Sequence, residues 1–228
     1  MKALILMTRI PYRGNTKTRL MPVLKPIQCE ELHWAFLEDY YTCFESIDED
    51  IDVFVAYAPE KQSDTFLTSV PTNYECFKQR GSNLGFRMLN AFQDVFDKGY
   101  EKVVLVGCDI PQMERKTYIN AYKELDHVDM VICPTYDGGY CLMGLKKNHE
   151  RLFINDVKWG NQTVLEQTFS MANQLGLSVR LLDKYRDVDE YDDLISLLDL
   201  YEDPSRTFDH IPRATLHYIY LLREEKVI

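Results

Sequence analysis

Apolar residues recur along the chain in two alternating rhythms. Residues 3 to 7 are continuously apolar, as in a strand covered on both faces. From Glu30 to about Ile47 the apolar positions 32, 35, 36, 40, 43, 44 and 47 keep helical spacing, and Ile51 to Tyr57 restarts a strand. The loop between them runs through Pro22 and Pro26, and the stretch from Gln62 to Phe77 predicts a short helix and a short strand. Arg80-Gly81-Ser82-Asn83 signals a turn that also caps the next helix, roughly 84 to 97, which stops at Gly99. Lys102 to Val106 reads as a buried strand, 115 to 125 as an amphipathic helix, and Val128 to Cys133 and Gly139 to Leu145 as two further strands. Beyond residue 150 the pattern turns helical at 163 to 175, 190 to 201 and 213 to 225, with one strand at Leu177 to Leu182.

Alternation of this kind predicts an α/β fold of three layers, with helices on both faces of a mixed, mostly parallel central sheet. A length of 228 residues suits one domain, and no repeat, low-complexity segment or linker divides the chain, so 1–228 is read as a single domain with 196–228 a helical C-terminal appendage. A hydrophobic content of 46% with 15 Tyr and 11 Phe argues against disorder. The net charge of −10 repels polyanions and excludes a nucleic acid polymer as the expected partner, although a local basic loop can still capture a small anion. Six cysteines without a Cys-x-x-Cys pair read as reduced core thiols, with disulfides the alternative. No apolar run approaches the ~20 residues needed to cross a bilayer, so the expectation is a cytoplasmic protein with no membrane partner. Oligomeric state is not legible.

Candidate chemistry lies in the loops. The strand at 102 to 106 runs into Gly107-Cys108-Asp109-Ile110-Pro111, which puts a carboxylate at a strand's carboxyl end, where open α/β sheets bind ligands. Pro111 restrains the backbone there, as suits a metal ligand; the alternative is a carboxylate that caps the helix near 115. The loop Gly14-Asn15-Thr16-Lys17-Thr18-Arg19 departs from the Walker pattern, yet its cations and backbone N–H groups could wrap a phosphate, with Arg19 as a bidentate fork and Lys17 as a point charge. The alternative is a solvated basic turn. Asp137-Gly138-Gly139-Tyr140 permits close approach of a ligand, or is simply a hairpin turn. Asp187-Val188-Asp189 offers two carboxylates to a hard cation such as Mg²⁺ or Mn²⁺, while Asp192 and Asp193 suit a helix N-terminus. Trp159 could stack on a ring or pack, and Asn161 could cap the following helix. The five histidines show no zinc spacing and read as surface or packing residues.

Taken in order, these stretches resemble the bacterial glycosyltransferase family of the nucleotide-diphospho-sugar transferase superfamily, with its Rossmann-like GT-A fold. They are more distantly similar to the guanylyltransferases of molybdenum-cofactor and deazaflavin-coenzyme biosynthesis. The matching segments are Pro11 to Leu20, Gln79 to Arg87 with Gly81, Leu84, Gly85 and Arg87, Gly107 to Pro111, Pro134 to Gly144, Trp159-Gly160 and Asp187 to Leu194. Arg9 and Asn161 stand where the family more often has Lys and Ser or Thr. The resemblance implies a Mg²⁺- or Mn²⁺-dependent transferase in which Asp109 binds the metal bridging the phosphates and Asp187 or Asp189 completes the coordination. It implies catalytic roles for Lys17, Arg19 and Asp109, and nucleotide or substrate contacts from Arg9, Gly14, Thr18, Gln79, Gly81, Gly85, Arg87, Asp137, Gly138, Gly139, Tyr140 and Trp159.

The partners expected are a nucleotide-activated small-molecule donor and a small-molecule acceptor. Glycosyl transfer from a nucleotide sugar is the reading adopted. Nucleotidyl transfer from an NTP to a phosphorylated acceptor is the alternative, favoured by the cationic N-terminal loop, and a non-catalytic nucleotide-binding module is the second.

Overall fold

The computed structural model describes residues 1–47, 50–58, 63–154 and 162–228. In these residues seven strands, β1 (Lys2–Arg9), β2 (Ile51–Ala58), β3 (Glu75–Lys78), β4 (Lys102–Gly107), β5 (Met130–Pro134), β6 (Tyr140–Leu145) and β7 (Val179–Leu181), form one sheet in the order β3-β2-β1-β4-β6-β5-β7. β6 runs antiparallel to both its neighbours, and the other pairings are parallel. The helices are α1 (Pro26–Glu45), α2 (Ser63–Ser69), α3 (Leu84–Phe96), α4 (Arg115–Glu124), α5 (Val164–Gln174), α6 (Tyr191–Glu202) and α7 (Arg213–Glu224).

Each strand and helix expected from the hydrophobic rhythm is present. The main difference is at α1, which begins at Pro26 and so takes in the four residues before the expected start at Glu30. Proline is pre-organised for the first helical position, and Gln28 Oε1 accepts the Lys25 backbone N–H at 2.8 Å. The familiar Ser, Thr, Asp or Asn start signal is absent there. Asn83 does cap α3, its Oδ1 accepting from Phe86 N at 2.9 Å. Residue 196, where the sequence suggested an appendage, lies inside α6.

Alternation along the strands divides the core into two faces. Leu4 and Leu6 of β1 meet Leu37, Tyr40 and Phe44 of α1 and Tyr118 and Tyr122 of α4. Ala3, Ile5 and Met7 meet Met88, Phe92 and Val95 of α3 on the other face. A third cluster lies on the far side of α1, where Cys29, Leu32 and Phe36 pack with Leu194, Leu197 and Leu198 of α6 and Leu216, Ile219 and Leu222 of α7. Helix α1 is therefore covered over most of its circumference, with Glu31, Glu38, Thr42 and Glu45 left exposed. The same cluster takes in Leu20 and Leu24 from the loop after β1, and Val188.

The chain lays β1, β2 and β3 outward and then returns to place β4 on the other side of β1. The reversal opens a crevice between the carboxyl ends of β1 and β4, the switch point at which such sheets bind ligands.

Asp39 fastens α7 to α1. Its carboxylate, 3% exposed, accepts the backbone N–H groups of Ala214 at 3.0 Å and Thr215 at 2.8 Å. Burial pushes its pKa up to about 6, although those hydrogen bonds pull the other way. An unfolded Asp titrates near 3.9. Folding therefore holds the proton more tightly, and this carboxyl's contribution to stability is full below the unfolded value and lost as pH rises through about 6. Urea unfolding at pH 4.5 and 7 should show Asp39→Asn with a smaller pH dependence than the wild type. In the third cluster, Ile219→Ala should cost about 2–5 kcal/mol in the same measurement.

Candidate active site

A cavity of about 820 Å³ occupies the crevice, a size usual for small-molecule sites. Its walls come from the loop after β1, the ends of β1 and β4, the N-terminus of α3, the turn after β5 and the segment before α6.

The loop after β1 folds around Lys17. Gly14, with φ +82°, makes the turn that carries the chain back. Lys17 itself adopts a left-handed conformation with φ 46° and ψ 41°, which for a non-glycine costs about 1–3 kcal/mol. Its ammonium compensates with an unusual set of partners. Nζ donates to the Asp109 carboxylate and to the Val188 carbonyl at 2.9 Å, lies 3.6 Å from Asp189 Oδ1, and sits 4.5 Å from the centroid of the Phe36 ring. The side chain is 3% exposed. Burial alone would lower the lysine pKa, but the Asp109 and Asp189 charges outweigh it and raise it. Burial likewise pushes Asp109 up, and the Lys17 charge and hydrogen bond overcome it, holding the carboxyl below the usual range. Lys17 is thus a buried counter-ion that ties three segments together, where a free point charge for phosphate was expected. Arg19 remains exposed at the rim, its NH1 2.9 Å from Asp189 Oδ2.

Asp109 is held by its backbone. Its carbonyl accepts from Val188 N at 2.8 Å, and the next N–H, of Ile110, donates to Tyr40 Oη at 3.1 Å. Its carboxylate is half exposed towards the cavity. It does not cap α4, because the N–H groups of Arg115 and Lys116 both donate to Asp209 at 2.9 Å.

Val188 is fully buried in the third core cluster, which leaves Asp187 and Asp189 on the cavity wall. Burial, with Asp137 and Asp189 adding like charge, pushes the Asp187 pKa up to about 6. Asp189 is also raised by burial, against the pull of Lys17. Asp193 caps α6, accepting from Asp189 N at 3.1 Å and Glu190 N at 2.9 Å, in line with its reading as a helix-terminus acid.

The remaining expected residues divide by role. Arg9, Thr18, Gln79 and Arg87 line the cavity, as do Asp137, Gly139 and Tyr140. Gln79 donates from its amide to the carbonyls of Thr8 at 2.8 Å and Ala56 at 2.9 Å, so it joins the ends of β1 and β2. Asp137 Oδ1 accepts from Thr135 Oγ1 and from Gly139 N at 2.9 Å, closing its own turn. Tyr140 packs against the α3 face of the core.

Three expected glycines serve the backbone and do not line the cavity. Gly81, with φ +139°, would place a Cβ 2.7 Å from Phe86 Cβ; Gly85 is buried in the first turn of α3; and Gly138, with φ +88°, would place one 2.0 Å from the Gln162 carbonyl oxygen. Gly14 is likewise a turn residue away from the cavity. Trp159 and Asn161 lie outside the described residues.

Sequence reasoning missed Thr8, His33 and Cys108, which line the cavity beside Thr16 of the expected loop. No spacing could have found them, because they meet only when α1 crosses the ends of β1 and β4. The six cysteines are free thiols.

Among the described residues no three His, Cys, Asp or Glu side chains are gathered tightly enough to hold a metal ion on their own. Magnesium and manganese at phosphate sites need less, commonly one or two carboxylates with the substrate's oxygens completing the shell. The half-exposed Asp109 and the adjacent Asp189, joined through Lys17, have the oxygen chemistry for that role.

The family described as "uncharacterized protein conserved in bacteria" (DUF2064) matches residues 46–161, about half of the chain, and the chain belongs to that family. No curated protein matches the chain. Among solved structures, it is similar to the putative nucleotide-diphospho-sugar transferase of Desulfovibrio desulfuricans, with 28% identity over 99% of this chain and 96% of that one and a TM-score of 0.84. The fold is shared more distantly with CMP:2-keto-3-deoxy-manno-octonic acid synthetase complexed with CTP, at 9% identity over 88% and 98% of the two chains and a TM-score of 0.57. It is also shared with Rv0371c of Mycobacterium tuberculosis in complex with manganese, at 14% identity over 87% and 99% and a TM-score of 0.51. Among the described residues no helix is long and apolar enough to cross a membrane.

Gly138 provides a direct check of the turn that presents Asp137. Gly138→Ala should lower stability by at least about 2 kcal/mol in urea titration, from positive φ and the backbone clash together.

Proposed function

We propose that this protein is a divalent-cation-dependent glycosyltransferase that moves a sugar from a nucleoside-diphosphate donor to a small acceptor bearing a neutral hydroxyl. The observation that carries the reading is the distribution of charge along the cavity. Arg9, Lys17, Arg19 and Arg87 line it together with Asp109, Asp137, Asp187 and Asp189; Lys17 and Arg19 pair with Asp109 and Asp189, whereas no ion pair joins Asp137 or Asp187 to another described residue. A diphosphate suits the arginines of this wall. An acceptor entering beside Asp137 and Asp187 meets like charge if it is a phosphate ester, and a ready proton acceptor if it is an alcohol.

Asp187 is the candidate base, since a carboxylate pushed up to about 6 is matched to proton abstraction near neutrality. The acceptor oxygen bonds to the anomeric carbon as the bond from that carbon to the phosphate oxygen breaks. The electron pair of that bond leaves with the nucleoside diphosphate, and the hydroxyl proton passes to Asp187. Arg9 and Arg19 balance the charge that develops on the departing phosphate. A Mg²⁺ or Mn²⁺ ion held by Asp109 and Asp189 would neutralise the diphosphate. Lys17 keeps those two carboxylates in register from below. The similarity to a nucleotide-diphospho-sugar transferase supports the donor class. Nucleotidyl transfer is the second reading, and the cationic side chain of Arg19 at the rim favours it.

A thermal-shift panel with Mn²⁺, setting UDP-, GDP- and dTDP-sugars against the four NTPs, tests the proposal, because a ligand of the native state raises its stability. Stabilisation by a nucleotide sugar is the expected result; stabilisation by an NTP alone would transfer the assignment to nucleotidyl transfer. Asp109→Asn keeps an acceptor for Lys17 and should lose the metal-dependent part of the shift. With the donor in hand, Asp187→Asn should lower kcat by about 10²–10⁴ with little change in donor KM.

A further inference from the structure

One buried imidazole in the cavity wall takes no part in the chemistry above. His33, on α1, is 2% exposed. Its Nε2 is 3.2 Å from Thr8 Oγ1 and 3.4 Å from Cys108 Sγ, and its Nδ1 is hydrogen-bonded to Thr16 Oγ1. Thr8 stands near the end of β1, Cys108 directly precedes Asp109, and Thr16 directly precedes Lys17. A single ring therefore touches the three segments that meet at the switch point.

The partners also orient the ring. Thr8 Oγ1 directs its proton to the Arg9 carbonyl at 2.8 Å or to Cys108 Sγ at 3.3 Å, and in either case presents a lone pair to the imidazole. That assigns the ring proton to Nε2 and leaves Nδ1 to accept from the Thr16 hydroxyl. Burial, reinforced by the Lys17 and Arg9 charges, lowers the His33 pKa to about 3, so the ring stays neutral and keeps one lone pair on Nδ1. Any buried imidazole must satisfy its nitrogens, so what distinguishes this one is where its partners stand. Here both ring nitrogens are matched, and the Nδ1 bond acts on the residue before the strained Lys17 backbone.

We infer that His33 is the positioning residue of this site: by holding Thr16 through Nδ1 it sets the left-handed turn at Lys17 and so delivers the ammonium to Asp109 and Asp189. The effect on Lys17 stands on geometry alone. The effect on donor binding rests on the glycosyltransferase reading.

Asparagine reaches the place of Nδ1 and glutamine that of Nε2, so the two variants remove opposite bonds. In ¹⁵N-labelled protein, the protected Lys17 ammonium should give a ¹H–¹⁵N signal, identified by its loss in Lys17→Met. His33→Asn should keep that signal, and His33→Gln should lose it at a comparable melting temperature. Retention in both, loss in both, or the reverse order would overturn the inference. If either variant fails to fold, the same bond is tested from its other end: Thr16→Val should lose the signal and Thr16→Ser should keep it, and any other pattern counts against His33. Titration with the UDP-, GDP- and dTDP-sugars and Mn²⁺ should show His33→Gln weakened about tenfold and His33→Asn within about threefold, as for one lost hydrogen bond to a positioned group. A wild type that binds no nucleotide sugar would count against the transferase reading and leave the ammonium signal to decide the role of His33.

Discussion

The Lys17–Asp109 ion pair is the constraint around which the site is arranged. An ammonium at 3% exposure is costly to desolvate, and it is retained here only with two carboxylates, a carbonyl and an aromatic face around it. Such a pair adds little net stability compared with apolar packing, yet it leaves almost no freedom in where its members stand. Asp109 is fixed from β4, Asp189 from the segment before α6, and Lys17 from the loop after β1. One buried cation thereby converts three separate loops into one wall.

The two C-terminal helices belong to the same construction. They extend the apolar surface of α1 into a third core, and that core grips Leu20, one residue past Arg19, and Val188, between the two cavity carboxylates. Burial of these two side chains aims their polar neighbours outward. The helices thus support the site without lining it. Asp39 of α1, buried against the N-terminus of α7, weakens their attachment as pH rises, the direction opposite to that of a carboxylate whose pKa is lowered on folding.

Local charge and global charge point in different directions. The chain carries −10 overall, yet Arg9, Arg19 and Arg87 all face one cavity. Capture of a diphosphate needs only the local field within about a Debye length, roughly 8–10 Å at physiological salt. The acidic surface elsewhere disfavours polyanions, and Asp137 and Asp187 repel small anions at their side of the cavity. Specificity of this kind arises as much from repulsion as from contact.

The sequence by itself determined the layer architecture, because period-2 and period-3.6 burial are local properties that a single chain displays in order. It also marked Asp109, since an apolar strand followed by Cys-Asp-Ile-Pro leaves that carboxylate nowhere but the sheet's carboxyl edge. Asp193 was legible as a helix-terminus acid, and Asp187 and Asp189 as a pair, because capping and alternation act over a few residues. Tertiary structure decided the rest. Lys17 reads as a point charge for phosphate or as part of a solvated basic turn until α1 brings Phe36, and β4 brings Asp109, to the same point. Gly81 and Gly138 read as ligand-facing until the chain behind them is seen to fill the space a Cβ would need. His33 reads as a packing residue until its two nitrogens find partners 25, 75 and 17 residues away. Sequence patterns report which face of an element is buried; they carry no record of which distant polar group that burial will meet.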